Sequence, residues 1–289
     1  MPPELLAEAI LAGILLGCFY AAVSIGLSIA LGLLDVPHIA HPAFLVLGGY
    51  GVYLLGQHGV DPLLAGALLT PVFFAIGVAV YRFYHAAFER RGSDTGLRGL
   101  AFFFGVAFIV EVALIVTFGV DQRMVEAAYI GAGVSLGELR LPMRMLVAFG
   151  VALLLTVSLS LYLAKTFSGR AIRAVAQDQT ALALMGADPV RVKQWAFGIA
   201  MGTCALAGAL LIIVAPIEPG LGRLYIGRAF CVAVLAGLGS MKGTLAAGVI
   251  LGVAESIVLT SLGASWAPAV AFGLLLLVLA VRPAGLFGR

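Results

Sequence analysis

Residues Leu5 to Leu33 read LLAEAILAGILLGCFYAAVSIGLSIALGL, and no charged side chain occurs from Ala9 to Leu34. An α-helix rises about 1.5 Å per residue, so some 20 apolar residues cross a hydrocarbon core of about 30 Å. This stretch is long enough. A membrane barrel needs alternating strands of about ten residues, and that alternation is absent. Inside lipid, a helix satisfies its backbone N–H and C=O groups within one segment. The stretch therefore sets the fold as helical and membrane-spanning.

Working outward, the pattern repeats. Apolar runs fall at about 5–33, 41–56, 63–82, 98–118, 143–164, 193–214, 228–240, 244–261 and 265–281, separated by short clusters of charge. They predict an all-α, polytopic transmembrane bundle of about nine spans, eight to ten. The second and seventh are short, with Pro37, Pro42, Gly237, Gly239 and Gly243 at their flanks. Short segments interrupted by Gly or Pro mark broken helices near the bilayer midplane of transporters. Composition agrees: 62% hydrophobic and 11% charged, with a mean hydropathy of +1.13, against about a quarter charged in soluble domains. Residues 1–289 read as one membrane domain.

Other classes lose support. A net charge of +3 is too small to suggest nucleic acid as a partner. Cys18, Cys204 and Cys231 lie scattered in apolar runs without CxxC spacing, which argues against a disulfide framework or a metal site. The start carries Glu4 and Glu8 and no Lys or Arg, unlike the basic region of a cleavable signal peptide.

Basic residues near span ends mark the cytoplasmic side. Arg82, Arg90, Arg91 and Arg98 share one loop, Lys165, Arg170, Arg173, Arg191 and Lys193 another, and Arg282 and Arg289 the tail. These are 11 of the 17 Lys and Arg. The 119–142 loop mixes Asp121, Glu126 and Glu138 with Arg123 and Arg140, and the 215–227 loop carries Glu218 and Arg223. Both read as external. Nine spans then place the N-terminus outside and the C-terminus in the cytoplasm, whereas eight would force the arginine tail outside.

The cytoplasmic loop at about 165–192 is too long for a plain connection. Ser168 to Met185 is rich in helix formers. Ile172, Val175, Gln179, Leu182 and Gly186 share one face, with Arg170, Arg173 and Gln177 elsewhere. Gly186 suits a helix stop, and Asp188 and Pro189 suit the cap and first turn of the next span. A short amphipathic helix is expected here. It either rests on lipid headgroups or docks a partner through small residues, Ala171, Ala174, Ala176, Ala181 and Ala183.

GRAIRAVAQDQTALALMGADPVRVKQWAF, Gly169 to Phe197, resembles the cytoplasmic loop of branched-chain amino acid ABC importer permeases of the LivH/LivM type. FCVAVLAGLGSMKGTLAAGVILGVAES, Phe230 to Ser256, resembles that family's Gly-rich pattern, departing at Ala236 and at Met241–Lys242. LGLLDVPHIAHPAFLVLGGY, Leu31 to Tyr50, keeps Ala40, His41, Phe44, Gly48 and Tyr50. It has His38-Ile39-Ala40-His41-Pro42 where the family has an Asn-Phe-Ala-His-Gly core. The likeness covers nearly the whole chain. It implies a permease subunit of an ATP-driven importer in a bacterial inner membrane, working with two ATP-binding subunits, a second permease chain and a periplasmic substrate-binding protein. Substrates would be branched-chain or other hydrophobic amino acids, or related small amides or aromatics. Coupling to the ATPase is implied for Gly169, Arg170, Arg173, Ala174, Gln177, Asp178, Ala181, Ala183, Leu184, Met185 and Gly186. No GxxxxGK[ST] loop occurs, so ATP and Mg would bind partner chains, with no cofactor here.

Candidates for the translocation path are His38, His41, Phe44, Gly237, Gly239 and Glu255. Glu111 and Glu255 interrupt apolar runs, where a charge costs at least about 2.5–3.5 kcal/mol to insert. They must face the bundle interior or be protonated, in a substrate path, in a structural hydrogen bond or in a proton relay. His38 and His41 flank a proline turn with only Asp35 nearby, too few ligands for a metal. Their polar groups are expected to satisfy backbone freed by proline. Gly248 and Gly252, four apart, suit close helix packing, and Gly237 to Gly243 suit a tight turn. Two other classes stay open. A gradient-driven secondary transporter or channel would share broken helices and buried carboxylates but would not need the long inner loop. A membrane-embedded enzyme would need a nucleophile and base, and His38, His41 and Asp35 supply no matched nucleophile.

Overall fold

The computed structural model describes residues 3–91, 95–136 and 139–288. Arg289 and Glu138, used above in the charge reading, lie outside the described residues. Eleven α-helices follow in order: α1 Pro3–Gly32, α2 His41–Gln57, α3 Pro62–Ala87, α4 Thr95–Phe118, α5 Met143–Lys165, α6 Phe167–Gln177, α7 Gln179–Leu184, α8 Pro189–Val214, α9 Gly222–Ala236, α10 Met241–Leu262 and α11 Ala267–Val281. Eight helical segments among the described residues are long and apolar enough to cross a membrane. The ninth, α2, has 17 residues and falls just short of a full crossing. The chain is a polytopic helical membrane protein of about nine spans, and α2, α9 and α11 are short, at 17, 15 and 15 residues.

Bounds shift where capping chemistry decides. The seventh span was expected at 228–240 and runs instead from Gly222 to Ala236. A 3-10 turn, Pro219–Leu221, starts it, and Gly237 at φ +81° ends it. Arg223 and Arg228 thus enter the helix. The sixth span begins at Pro189, not 193, because the Asp188 carboxylate accepts from the N–H groups of Val190 and Arg191. The expected external loop also holds a short antiparallel hairpin, β1 Gly133–Leu136 and β2 Leu139–Pro142. Periodicity gave no sign of it.

Helix α8 is the axis of the bundle, buried along most of its length and packed on α1, α2, α3 and α5. A close seam joins α1 to α10 in antiparallel fashion. A Cβ on Gly252 would sit 2.4 Å from the carbonyl oxygen of Gly13 and 2.4 Å from the amide nitrogen of Gly17. A Cβ on Gly17 would sit 2.5 Å from the Cα of Val249. In lipid no hydrophobic force favours one helix pair over another, so association relies on such close backbone approach. The expected small-residue face at Gly248 and Gly252 is therefore met by a second one, Gly13 and Gly17, on α1.

The loops sort to two ends. Arg123 and Ile217 exchange backbone hydrogen bonds of 2.8 and 2.9 Å, which joins the 119–142 loop to the 215–221 loop. At the other end, Lys193 Nζ meets Glu89 Oε1 at 2.5 Å and ties the 82–98 loop to the start of α8.

Candidate functional site

The loop expected to form one amphipathic helix from Ser168 to Met185 is two helices, α6 and α7, meeting at Asp178. Asp178 adopts φ −155° and ψ 110°, and its carboxylate accepts from the N–H groups of Thr180 at 2.8 Å and Ala181 at 3.0 Å. An Asp that caps the following turn leaves the helical region itself, so the residue breaks the helix that the propensities favoured. Thr166 caps α6 in the same way through Gly169 N–H, at 3.0 Å. Gly186, at φ +85°, ends the segment, as expected.

The inward face is Gly169, Ile172, Val175 and Leu182, all buried. Gln179, expected on that face, is exposed, because the break at Asp178 resets the helical phase. Gly169 lies against Tyr162 and Leu163 of α5, so it fixes the segment and does not present it. Arg170, Gln177, Ala181 and Ala183 point outward, and Ala174 is half-buried. Arg173 donates to the carbonyl of Ala164 at 3.2 Å. Leu184 and Met185 form the tip, each 85% exposed.

At the start of α8 sits a polar node that sequence reasoning missed. Glu89 accepts from Tyr81 at 2.7 Å, from His85 at 2.9 Å and from Lys193. Burial pushes the Glu89 carboxyl up, but these hydrogen bonds and the Lys193 charge outweigh it and hold the group below the usual carboxylate range. The signal available was Lys193 itself, a basic residue at the start of an apolar run.

His38, His41 and Phe44 lie together where α1 ends and α2 begins, and all are buried. Asp35, three residues past the end of α1, has φ +55°, a left-handed conformation that Asp tolerates better than most residues. The turn satisfies its own backbone: His38 N–H donates to Val36, Ile39 to Pro37, and His41 to His38. The imidazoles are not needed for that, contrary to expectation. His41 Nε2 instead donates to the Val23 carbonyl of α1 at 2.8 Å, and its Nδ1 faces the Cys204 thiol of α8 at 3.3 Å. His41 thus pins three helices. The His38 ring packs among Phe103, Phe197, Phe44 and His41, with centroids 4.8 to 6.0 Å away.

Gly237 and Gly239 sit in the tight turn between α9 and α10, both at positive φ. Gly237 is packed against the backbone of Gly285 and Gly288, and Gly239 against Gly32 at the end of α1. Glu255 of α10 is buried and receives Arg228 of α9, Nη2 at 2.7 Å and Nε at 2.8 Å, both on Oε1. The Arg228 guanidinium also lies 5.6 Å from the ring centroids of Tyr20 and Tyr225. The structure therefore gives Glu255 a cation that the expected span bounds had placed at a helix end.

Glu111 lines a cavity of about 490 Å³ between α2, α4 and the start of α9. Its walls include Ile39, Phe104, Phe108 and Leu114. Arg223 Nε donates to Glu111 Oε2 at 3.3 Å, and Nη2 reaches Oε1. Sequence reading placed Glu111 inside a span but did not connect it to Arg223.

Compared with known proteins, the chain matches a family model described as branched-chain amino acid transport system permease component over residues 9–279. The high-affinity branched-chain amino acid transport system permease protein BraD of Pseudomonas aeruginosa is 28% identical over 288 residues, 96% of this chain and 94% of that one. The corresponding LivH protein of Escherichia coli K12 is 28% identical over 292 residues, with the same coverage. Among solved structures, PsaBC from Streptococcus pneumoniae in complex with Fab superposes with a TM-score of 0.52 at 13% identity, covering 98% of this chain and 94% of that one. That likeness concerns the fold.

Proposed function

The chain belongs to the branched-chain amino acid transport system permease component family, and from that premise we propose how it works and what it carries. It is the permease subunit of an ATP-driven importer for branched-chain or other hydrophobic amino acids. Two ATP-binding subunits dock on α6 and α7 at the cytoplasmic face, a second permease chain completes the channel, and a periplasmic binding protein delivers substrate. ATP and Mg act on the ATPase subunits, and this chain holds no cofactor. The protein sits in the bacterial inner membrane with its N-terminus outside and C-terminus in the cytoplasm. Residues 1–289 serve as one permease domain, with 165–192 as its coupling segment.

The observation that carries this reading is the exposed apolar tip, Leu184 and Met185, on a segment anchored by buried Ile172, Val175 and Leu182. Large apolar side chains held out at a membrane protein's aqueous end call for a covering partner. The Asp178 and Thr166 caps fix their position, which suits a part that transmits motion. Co-expression with candidate ATPase subunits tests it. Wild type should co-purify with them, and Leu184→Arg and Met185→Arg should lose them at unchanged permease yield. Retention of the complex in both variants, or no ATPase bound to wild type, would refute docking through α6 and α7. A permease that instead moves solute alone on an ion gradient would establish the secondary-transporter reading.

A further inference from the structure

We propose that Glu111 and Arg223, with the apolar walls around them, form a subsite that holds the charged head of a zwitterionic α-amino acid on the external side of the permease. The inference rests on the amino-acid reading above and assigns it to residues.

Position comes first. Glu111 lies seven residues before Phe118, the last residue of α4, so it sits about 10 Å below that helix end. Arg223 is the second residue of α9. The loops that follow α4 and precede α9 are hydrogen-bonded to each other through Arg123 and Ile217. The pair therefore lies near the end of the bundle where a substrate from outside arrives.

Chemistry comes second. The walls are apolar except where Glu111 and Arg223 converge. A cavity of about 490 Å³ falls within the range of roughly 300–1,000 Å³ usual for small-molecule sites. A hydrophobic amino acid has three parts to satisfy. Its ammonium suits the Glu111 carboxylate, and its carboxylate suits the planar fork of Arg223, which can hold it through two parallel hydrogen bonds. Its branched side chain suits Phe104, Phe108 and Leu114. Without substrate the two protein charges neutralise each other. With substrate each exchanges one partner for another of the same sign.

Stability is a poor reason for the pair. Arg223 is 73% exposed while Glu111 is 15% exposed. An ion pair with one arm this exposed contributes little to folding, whereas a carboxylate carried into a span is costly to insert. Contrast Arg228 and Glu255, which are both shielded, at 16% and 2% exposed. Glu111, by contrast, lines a cavity together with its partner Arg223.

The experiment is binding of labelled leucine to the purified permease complex in detergent. Competition should come from unlabelled leucine, and about tenfold more weakly from leucinamide, which lacks the carboxylate, and from isocaproate, which lacks the ammonium. Glu111→Gln and Arg223→Gln should each raise the Kd roughly tenfold with unchanged melting temperature. The double exchange Glu111→Arg with Arg223→Glu restores an ion pair but reverses the zwitterion against the apolar walls, so binding should stay weak. Wild-type affinity in both single variants, or recovery in the double exchange, would overturn the subsite alone. A wild-type complex that binds and transports no amino acid would overturn the amino-acid reading and the subsite together.

Discussion

Gly252→Ala tests the packing of the bundle more sharply than any larger change. The new methyl would sit 2.4 to 2.5 Å from Gly13 O, Gly17 N and Gly17 Cα, all backbone atoms with no rotamer to swing away. Ordinary contact begins near 3.4 Å, so α1 and α10 must separate by about 1 Å, and a gap of 0.5–1 Å on each facing contact forfeits a quarter to a half of its dispersion well. Overpacking of this kind costs about 1–3 kcal/mol. The helix propensity of Ala over Gly returns up to about 1 kcal/mol. The net expectation is a loss of about 1–2 kcal/mol. Gly150→Ala and Gly273→Ala are the controls, because no atom lies within 4 Å of a Cβ at either site. Those two should be neutral or stabilising. Reversible unfolding in mixed micelles with increasing SDS measures all three. If Gly252→Ala is as stable as the two controls, the close seam between α1 and α10 is not what holds these helices together.

Arg228→Ala should cost about 3–5 kcal/mol by leaving Glu255 charged and unpartnered, while Arg228→Met with Glu255→Leu should recover most of it, measured by the same unfolding assay. Asp178→Ala should remove the cap of α7 at about 1 kcal/mol and speed amide hydrogen exchange at 179–186, leaving the spans protected. The Glu89 carboxyl is held below its ordinary 4.5 in the fold, so it stabilises the protein above about that pH and loses its contribution as pH falls through the lowered value. Stability should therefore drop below about pH 4.5 in wild type, and the drop should shrink in Glu89→Gln. An acid limb of equal size in both would count against the node.

Much of the fold was legible because lipid imposes it. Charge-free runs such as Ala9–Leu34 leave helix as the one economical backbone solution, and basic clusters sort the loops. Gly186, Asp188 and Pro189 announced their stop and cap correctly because those roles are local. What misled was equally local chemistry read with the wrong partner. Asp178 looked like a polar residue on a continuous helix, yet it caps the next turn and splits the helix in two. Arg228 looked like a flanking charge because the start of α9 depends on Pro219, several residues upstream. Pairings across the chain left no periodic signal at all: Glu89 with Lys193, Glu111 with Arg223, and Gly13 and Gly17 with Gly252. Each partner was visible alone, and three-dimensional proximity was needed to join them.

The most direct measurement is leucine uptake into proteoliposomes holding this chain with its ATPase subunits, second permease chain and binding protein, with ATP and Mg enclosed. The account predicts uptake that needs enclosed ATP and external binding protein, persists without any ion gradient, and is abolished by Leu184→Arg and Met185→Arg. Uptake by this chain alone, driven by an ion gradient and indifferent to ATP, would contradict it.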